Sequence, residues 1–249
     1  MRIIKKSKAM KILLFTAVMF VAFSTMGQQP KVYNDPNAKT RSLAGAFTKI
    51  SVSSGVELYL TQGNETALAI SVSDNKYEER FKTEVVDGVL KIYYDNKGIS
   101  WTNEKNRKLK AWVSYKTLDA IKASAGSNVV LTNPLNADVL AISCSSGAML
   151  SGQLKASVLS ADLNSGAQIS ASGSAGKLTV SAGSGAIFKG QNLLTEYCTA
   201  SANSGAVIKI EVQKEINASA NSGGVVHYKG NALLIKGNIN SGGSVKQGS

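Results

Sequence analysis

One phrase returns along the second half of the chain: Ser124-Ala125-Gly126, Ser146-Gly147-Ala148, Ser165-Gly166-Ala167, Ser184-Gly185-Ala186, Ser204-Gly205-Ala206, Ser222-Gly223-Gly224 and Ser241-Gly242-Gly243. Its glycines at 126, 147, 166, 185, 205, 223 and 242 are 21, 19, 19, 20, 18 and 19 residues apart. A near-constant period in this range predicts a stack of like units, each burying its apolar face against its neighbours. Whatever else the chain does, it must first solve that stacking.

Alignment on the glycine assigns a role to each position. The next residue is always small (Ala148, Ala167, Ala186, Ala206, Gly224), and two positions further on stand Leu150, Ile169, Phe188, Ile208 and Val226. In the rung that continues from Gly205, Ile208, Ile210 and Val212 alternate with Lys209 and Glu211, the period of two that belongs to a strand. Nineteen residues at ~3.3 Å each trace a path of ~60 Å, which suits a closed coil of short strands and not a helix hairpin. The sequence therefore predicts an all-β fold, a right-handed parallel β-helix (β-solenoid) with ~19-residue rungs. Asn164, Asn203, Asn221 and Asn240, with Ser145 and Gly183 in the other rungs, precede each glycine by two residues. Because Asn and Gly tolerate a left-handed backbone, the corner is expected at these positions, with asparagine side chains stacked along the axis.

Residues 43–120 read as a more irregular, strand-rich opening that caps one end of the solenoid. Strand-like runs lie at Phe47–Val52, Val56–Thr61, Ala67–Ser73, Phe81–Val86, Val89–Tyr94 and Lys110–Tyr115. Val86-Asp87-Gly88-Val89 is a hairpin signal. The regular rungs occupy 121–249, and 43–249 is expected to form one continuous domain after a linker at 28–42. The last rung carries no comparable cap, so its open edge predicts either homo-oligomerisation through the C-terminal rung or shielding by the tail.

The N-terminus reads as targeting. Arg2, Lys5, Lys6, Lys8 and Lys11 precede the apolar run Ile12–Phe23, and Gly27 stands before a cut at Gln28, so residues 1–27 are expected to be a signal peptide. Removing five basic residues and no acidic ones takes the net charge from +12 to 23 − 16 = +7. No transmembrane segment is expected in the mature chain. Cys144 and Cys198 fall in different columns two to three rungs apart, beyond the ~7 Å reach of a disulfide, and are expected as buried free thiols.

The segment Phe47-Thr48-Lys49-Ile50-Ser51-Val52-Ser53-Ser54-Gly55 and the later Asn-Ser-Gly-Ala rungs resemble the putative auto-transporter adhesin family with the head GIN domain. The resemblance spans about residues 43–245. It implies a β-helical fold and an exported bacterial envelope protein, found in the periplasm, on the outer membrane surface or outside the cell, with an adhesive role.

Catalytic chemistry finds little footing. Residues 121–249 hold only five carboxylates, Asp138, Asp162, Glu196, Glu211 and Glu215, in unlike columns, where glycoside hydrolysis needs a positioned pair. The single histidine, His227, has no cysteine or second histidine beside it in the repeat frame, so no metal site is expected. No Gly-Lys-Ser/Thr phosphate loop occurs, no cofactor is implied, and no recognised module supports nucleic-acid binding. The chain therefore reads as noncatalytic, with a β-helix carbohydrate-active enzyme, a polysaccharide lyase or hydrolase, as the alternative. Four residues after the glycines stand Ser151, Ser170, Lys189, Lys209, His227 and Lys246. Stacked ~4.8 Å apart, the basic members form a stripe that could meet an acidic surface or matrix polysaccharide or another envelope protein. The bland reading of the same lysines is that they keep a sheet soluble and guard its edges. Trp101, in the polar stretch 95–108, is a second candidate, placed either to stack on a sugar ring or to pack on the sheet beneath its loop.

Overall fold

A computed structural model describes residues 35–98 and 106–248. Its strands are β1 (Lys39–Thr40), β2 (Lys49–Val52), β3 (Glu57–Gln62), β4 (Ala67–Val72), β5 (Phe81–Val86), β6 (Val89–Tyr94), β7 (Leu109–Tyr115), β8 (Ala120–Ala123) and β9 (Asn128–Leu131). There follow β10 (Leu135–Cys144), β11 (Met149–Leu163), β12 (Gln168–Ala182), β13 (Ile187–Asn203), β14 (Val207–Asn221), β15 (Val225–Lys229), β16 (Leu233–Ile239) and β17 (Ser244–Gln247). All seventeen join one hydrogen-bonded sheet coiled into a parallel β-solenoid. Register between rungs follows the repeat: Leu150 lies over Ile169, Ile169 over Phe188, Phe188 over Ile208 and Ile208 over Val226. These five side chains are at most 1% exposed and fill the bore. Each such burial is worth about 1.5–3 kcal/mol relative to leaving the side chain in water.

The corner differs from the sequence expectation in one respect. The left-handed residues are the serine and the glycine, not the asparagine before them. Ser165 has φ 53° and Gly166 φ 70°, and the same pair of values recurs from Ser146 to Gly242. The Ala167 N–H donates to the Asn164 carbonyl at 3.2 Å, which makes Asn164 the first residue of a two-residue turn of the mirror-image type used in hairpins. Position two before the glycine thus needs no left-handed freedom, which is why Ser145 can stand there. The turns also bond to one another: the N–H of Gly147 donates to Ser165 O, that of Gly166 to Ser184 O and that of Gly185 to Ser204 O, each at 3.0 Å. Side chains add to this column where asparagines are consecutive, Asn221 Nδ2 donating to Asn203 Oδ1 at 3.1 Å.

The opening segment lays its rungs out of order. β2 pairs in parallel with β6 on one side and β8 on the other, and β3 likewise with β7 and β9. The rung laid first in sequence is therefore second in space, and the chain passes over it between β7 and β8. Beyond the β6–β7 rung the pairing turns antiparallel: β5 on β6 through the Asp87-Gly88 hairpin, β4 on β7, and β1 on β4. These strands bury apolar side chains of their own, with Phe81 0% and Leu68 3% exposed. At the other end, Leu234 and Ile239 continue bore columns but are 40% and 52% exposed, whereas Ile216 and Ala220 one rung above are 0%.

Cys144 and Cys198 are both free and buried. Cys144 stacks on Leu163 and Cys198 on Leu178, in separate columns. Burial pushes both thiols up to about 12, so neither is a nucleophile at neutral pH. The expected signal peptide, residues 1–27, lies outside the described residues. Among the described residues no helix is long and apolar enough to cross a membrane.

Candidate functional site

Parallel pairing in register carries every fourth residue after a turn glycine into one outward row. Lys189 is the partner of Lys209, Lys209 of His227, and His227 of Lys246, so the four basic candidates do form a continuous column. Ser151 and Ser170 continue it upward. Lys189, His227 and Lys246 are exposed and Lys209 is half-buried. Trp101, the remaining candidate, lies outside the described residues.

The column extends further than the repeat phrase suggests. Ser151 is the partner of Val130, Val130 of Tyr59, and Tyr59 of Trp112. Tyr59 and Trp112 are stacked, with ring centroids 5.6 Å apart and planes within 10°. The Tyr59 hydroxyl donates to Glu57 Oε1 at 2.6 Å, and this bond to a carboxylate pushes the phenol up to about 12. The row therefore runs from an aromatic pair on β3 and β7 to a cationic tract at the other end. Tyr59 could have been found from the sequence, because it stands four residues after Gly55 in the early Ser-Gly echo. Trp112 could not, since the segment before β7 carries no such phrase.

Beside this row lies a second outward one, two residues nearer each turn: Met149, Gln168, Ile187, Val207 and Val225. Met149 is 47% exposed and Ile187, Val207 and Val225 are half-buried. The face thus offers an apolar strip alongside a basic one. The face across the turn is polar and nearly uncharged: Ser143, Asp162, Ser181, Ser201 and Ser219 share a row, with Ser219 and Ser201 hydroxyls 3.0 Å apart.

The carboxylates are scattered by the coil. Glu211 Oε2 is 3.0 Å from Lys229 Nζ, and Glu196 Oε2 is 2.7 Å from Lys214 Nζ, both across adjacent rungs. Asp138 and Glu196 line the same open groove of 660 Å³, with Lys155, Ser157 and Ser174 between them. They stand on β10 and β13, three rungs apart, which is ~14 Å at one strand spacing per rung. A glycosidase pair needs at most ~9.5 Å. Among the described residues no three His, Cys, Asp or Glu side chains gather in a way that could hold a metal ion.

A family model described as "Putative auto-transporter adhesin, head GIN domain" matches residues 46–232. No curated protein sequence matches the chain. Among solved structures, a putative adhesin from Bacteroides fragilis NCTC 9343 superposes with a TM-score of 0.73 at 21% identity, covering 86% of this chain and 98% of that one. A putative adhesin from Parabacteroides distasonis ATCC 8503 gives a TM-score of 0.64 at 18% identity, covering 85% and 96%. A putative lipid binding protein from the same organism gives 0.62 at 17%, covering 86% and 98%. At such identities the likeness is one of fold.

Proposed function

The chain belongs to the putative auto-transporter adhesin family with the head GIN domain, and from this premise we propose that it is a noncatalytic protein of the bacterial cell envelope. It presents one solenoid face to an acidic polysaccharide or to another envelope protein. Residues 1–27 direct its export through the inner membrane, and the mature chain begins near Gln28. The observation that carries the reading is the register of Lys189, Lys209, His227 and Lys246, which places four basic side chains in one outward row. A row at strand spacing can follow an extended polyanion group by group, as isolated surface lysines cannot. The scatter of the carboxylates, two of them held in cross-rung ion pairs, supports a role without catalysis.

The test is a glycan array with the purified protein, read both for bound ligand and for released product. Binding to acidic glycans that weakens with salt and leaves the glycan intact is the expected result. The triple change Lys189→Gln, Lys209→Gln, Lys246→Gln should then abolish most of it. Depolymerised product would point to the enzyme alternative, and indifference to the triple change would remove the row from consideration.

A further inference from the structure

The basic row does not end on a flat sheet. The rung from Gly185 to Gly205 is 20 residues long and the next, from Gly205 to Gly223, is 18. Pairing between β13 and β14 absorbs the difference at two places: Gly190 is the partner of Ile210 and Leu194 the partner of Glu211, so Gln191, Asn192 and Leu193 bulge from β13 opposite nothing on β14, and between the Thr195–Val212 and Tyr197–Glu215 pairs β14 carries two residues against one, which leaves the net excess of 3 − 1 = 2. A long rung above a short one leaves a step, and beneath it is a recess of 300 Å³. Its lining includes Gln191 from the bulge, Lys209 and Ile210 from β14, and His227, Tyr228 and Lys229 from β15. Ile210 and Tyr228 are 1% and 6% exposed and form a floor, while Lys209, His227 and Lys229 stand around it.

The charge here is one-sided. Two lysines line the recess, and Lys189 and Lys246 are the register neighbours of Lys209 and His227 in the outward row. Against them stands Glu211, whose Oε1 accepts from Gln213 Nε2 at 3.2 Å and whose Oε2 holds Lys229 at 3.0 Å. That ion pair uses one proton of the Lys229 ammonium, which carries two more that can donate. An open recess with apolar side chains beneath it, an amide and two lysines in its lining suits a compact ring bearing an oxyanion.

We propose that this recess binds one anionic sugar residue, carrying a carboxylate or a sulfate, and that the chain extending from that sugar continues along Lys209, Lys189 and the serines above them. The proposal rests on the adhesin reading and names its ligand class. The recess supplies an anchoring subsite, and the row supplies length-dependent affinity.

The test is titration calorimetry of the purified protein with galacturonic acid, its hexamer, a sulfated hexasaccharide, a neutral hexasaccharide and inorganic sulfate. The discriminating variants are Lys229→Gln, which lies in the recess but off the row, and Lys189→Gln, which lies on the row but outside the recess. Circular dichroism confirms that both fold. Lys229→Gln should weaken both monomer and acidic hexamer about tenfold, the loss expected for one charge-assisted hydrogen bond. Lys189→Gln should weaken the hexamer and spare the monomer. Monomer binding that Lys229→Gln weakens and Lys189→Gln spares supports the site, and the tighter of the two acidic hexamers identifies the oxyanion. If Lys229→Gln binds the monomer and hexamer like the parent while Lys189→Gln loses hexamer affinity, the recess is overturned and the row stands. Equal affinity for inorganic sulfate and the sulfated sugar would overturn the sugar subsite, and no binding of any acidic glycan would overturn both readings.

Discussion

The same substitution at two glycines of one rung should have very different costs. Gly166 and Gly173 both have positive φ, +70° and +108°. A Cβ on Gly166 meets nothing within 4 Å, so Gly166→Ala carries only the left-handed strain of a non-glycine residue, about 1–2 kcal/mol. Gly173 lies between Leu154 and Leu193 in register, and a Cβ there falls 2.1 Å from the Leu154 carbonyl oxygen. Real Cβ contacts do not fall below 3.0 Å, so the rungs must part locally by 3.0 − 2.1 = 0.9 Å. Ladder bonds near 2.9 Å would stretch past hydrogen-bonding distance, and losing two of them at about 1 kcal/mol each adds to the strain. The total is about 3–4 kcal/mol. For a domain of this size 1 kcal/mol lowers Tm by about 2–4 °C, so thermal unfolding followed by circular dichroism should fall about 4 °C for Gly166→Ala and about 10 °C for Gly173→Ala. Equal losses would refute the reasoning, because they would mean that φ alone sets the cost and that the rung above does not press on the backbone.

Three further outcomes are expected. The buried thiols of Cys144 and Cys198, held at about 12 against 9.0 in the open chain, keep their protons when the unfolded chain loses them, so stability is intact below pH 9 and falls above it by up to about 1.4 kcal/mol per pH unit for each thiol. Urea midpoints at pH 8 and pH 10.5 should show that loss, and the double change Cys144→Ala, Cys198→Ala should flatten it. Among the described residues the buried Tyr115 hydroxyl has no hydrogen-bond partner, so Tyr115→Phe should raise the unfolding free energy by about 1 kcal/mol in urea titration, where a loss would reveal a partner for that oxygen. Leu234 and Ile239 leave the last bore columns 40% and 52% exposed, so the protein should self-associate through this rung with rising concentration in light scattering, and Leu234→Lys with Ile239→Lys should abolish it; a parent that stays monodisperse and monomeric would sink the idea.

The rungs were legible because a coil of parallel strands repeats one physical problem. Each turn needs two left-handed residues and a small residue after them, and each strand needs an apolar side chain at a fixed distance from the glycine. The serine rather than the asparagine takes the left-handed position, a detail hidden in the sequence because both residues recur at the same spacing. The basic row was legible for the same reason: four residues after the glycine is a geometric address, and the address also holds Tyr59. The recess was not. It arises from the difference between two rung lengths, 20 and 18, and a difference in length says only that a bulge exists, not which corner absorbs it or which side chains it uncovers. The out-of-order opening was hidden for a related reason. Parallel pairing of β2 with both β6 and β8 depends on a crossover between β7 and β8, and alternation marks those strands as buried without naming their neighbours. Local periodicity therefore fixes which face a side chain joins, while irregularities in chain length decide where that face becomes concave. In a solenoid, sites that can hold a single ligand group should be sought at such irregularities.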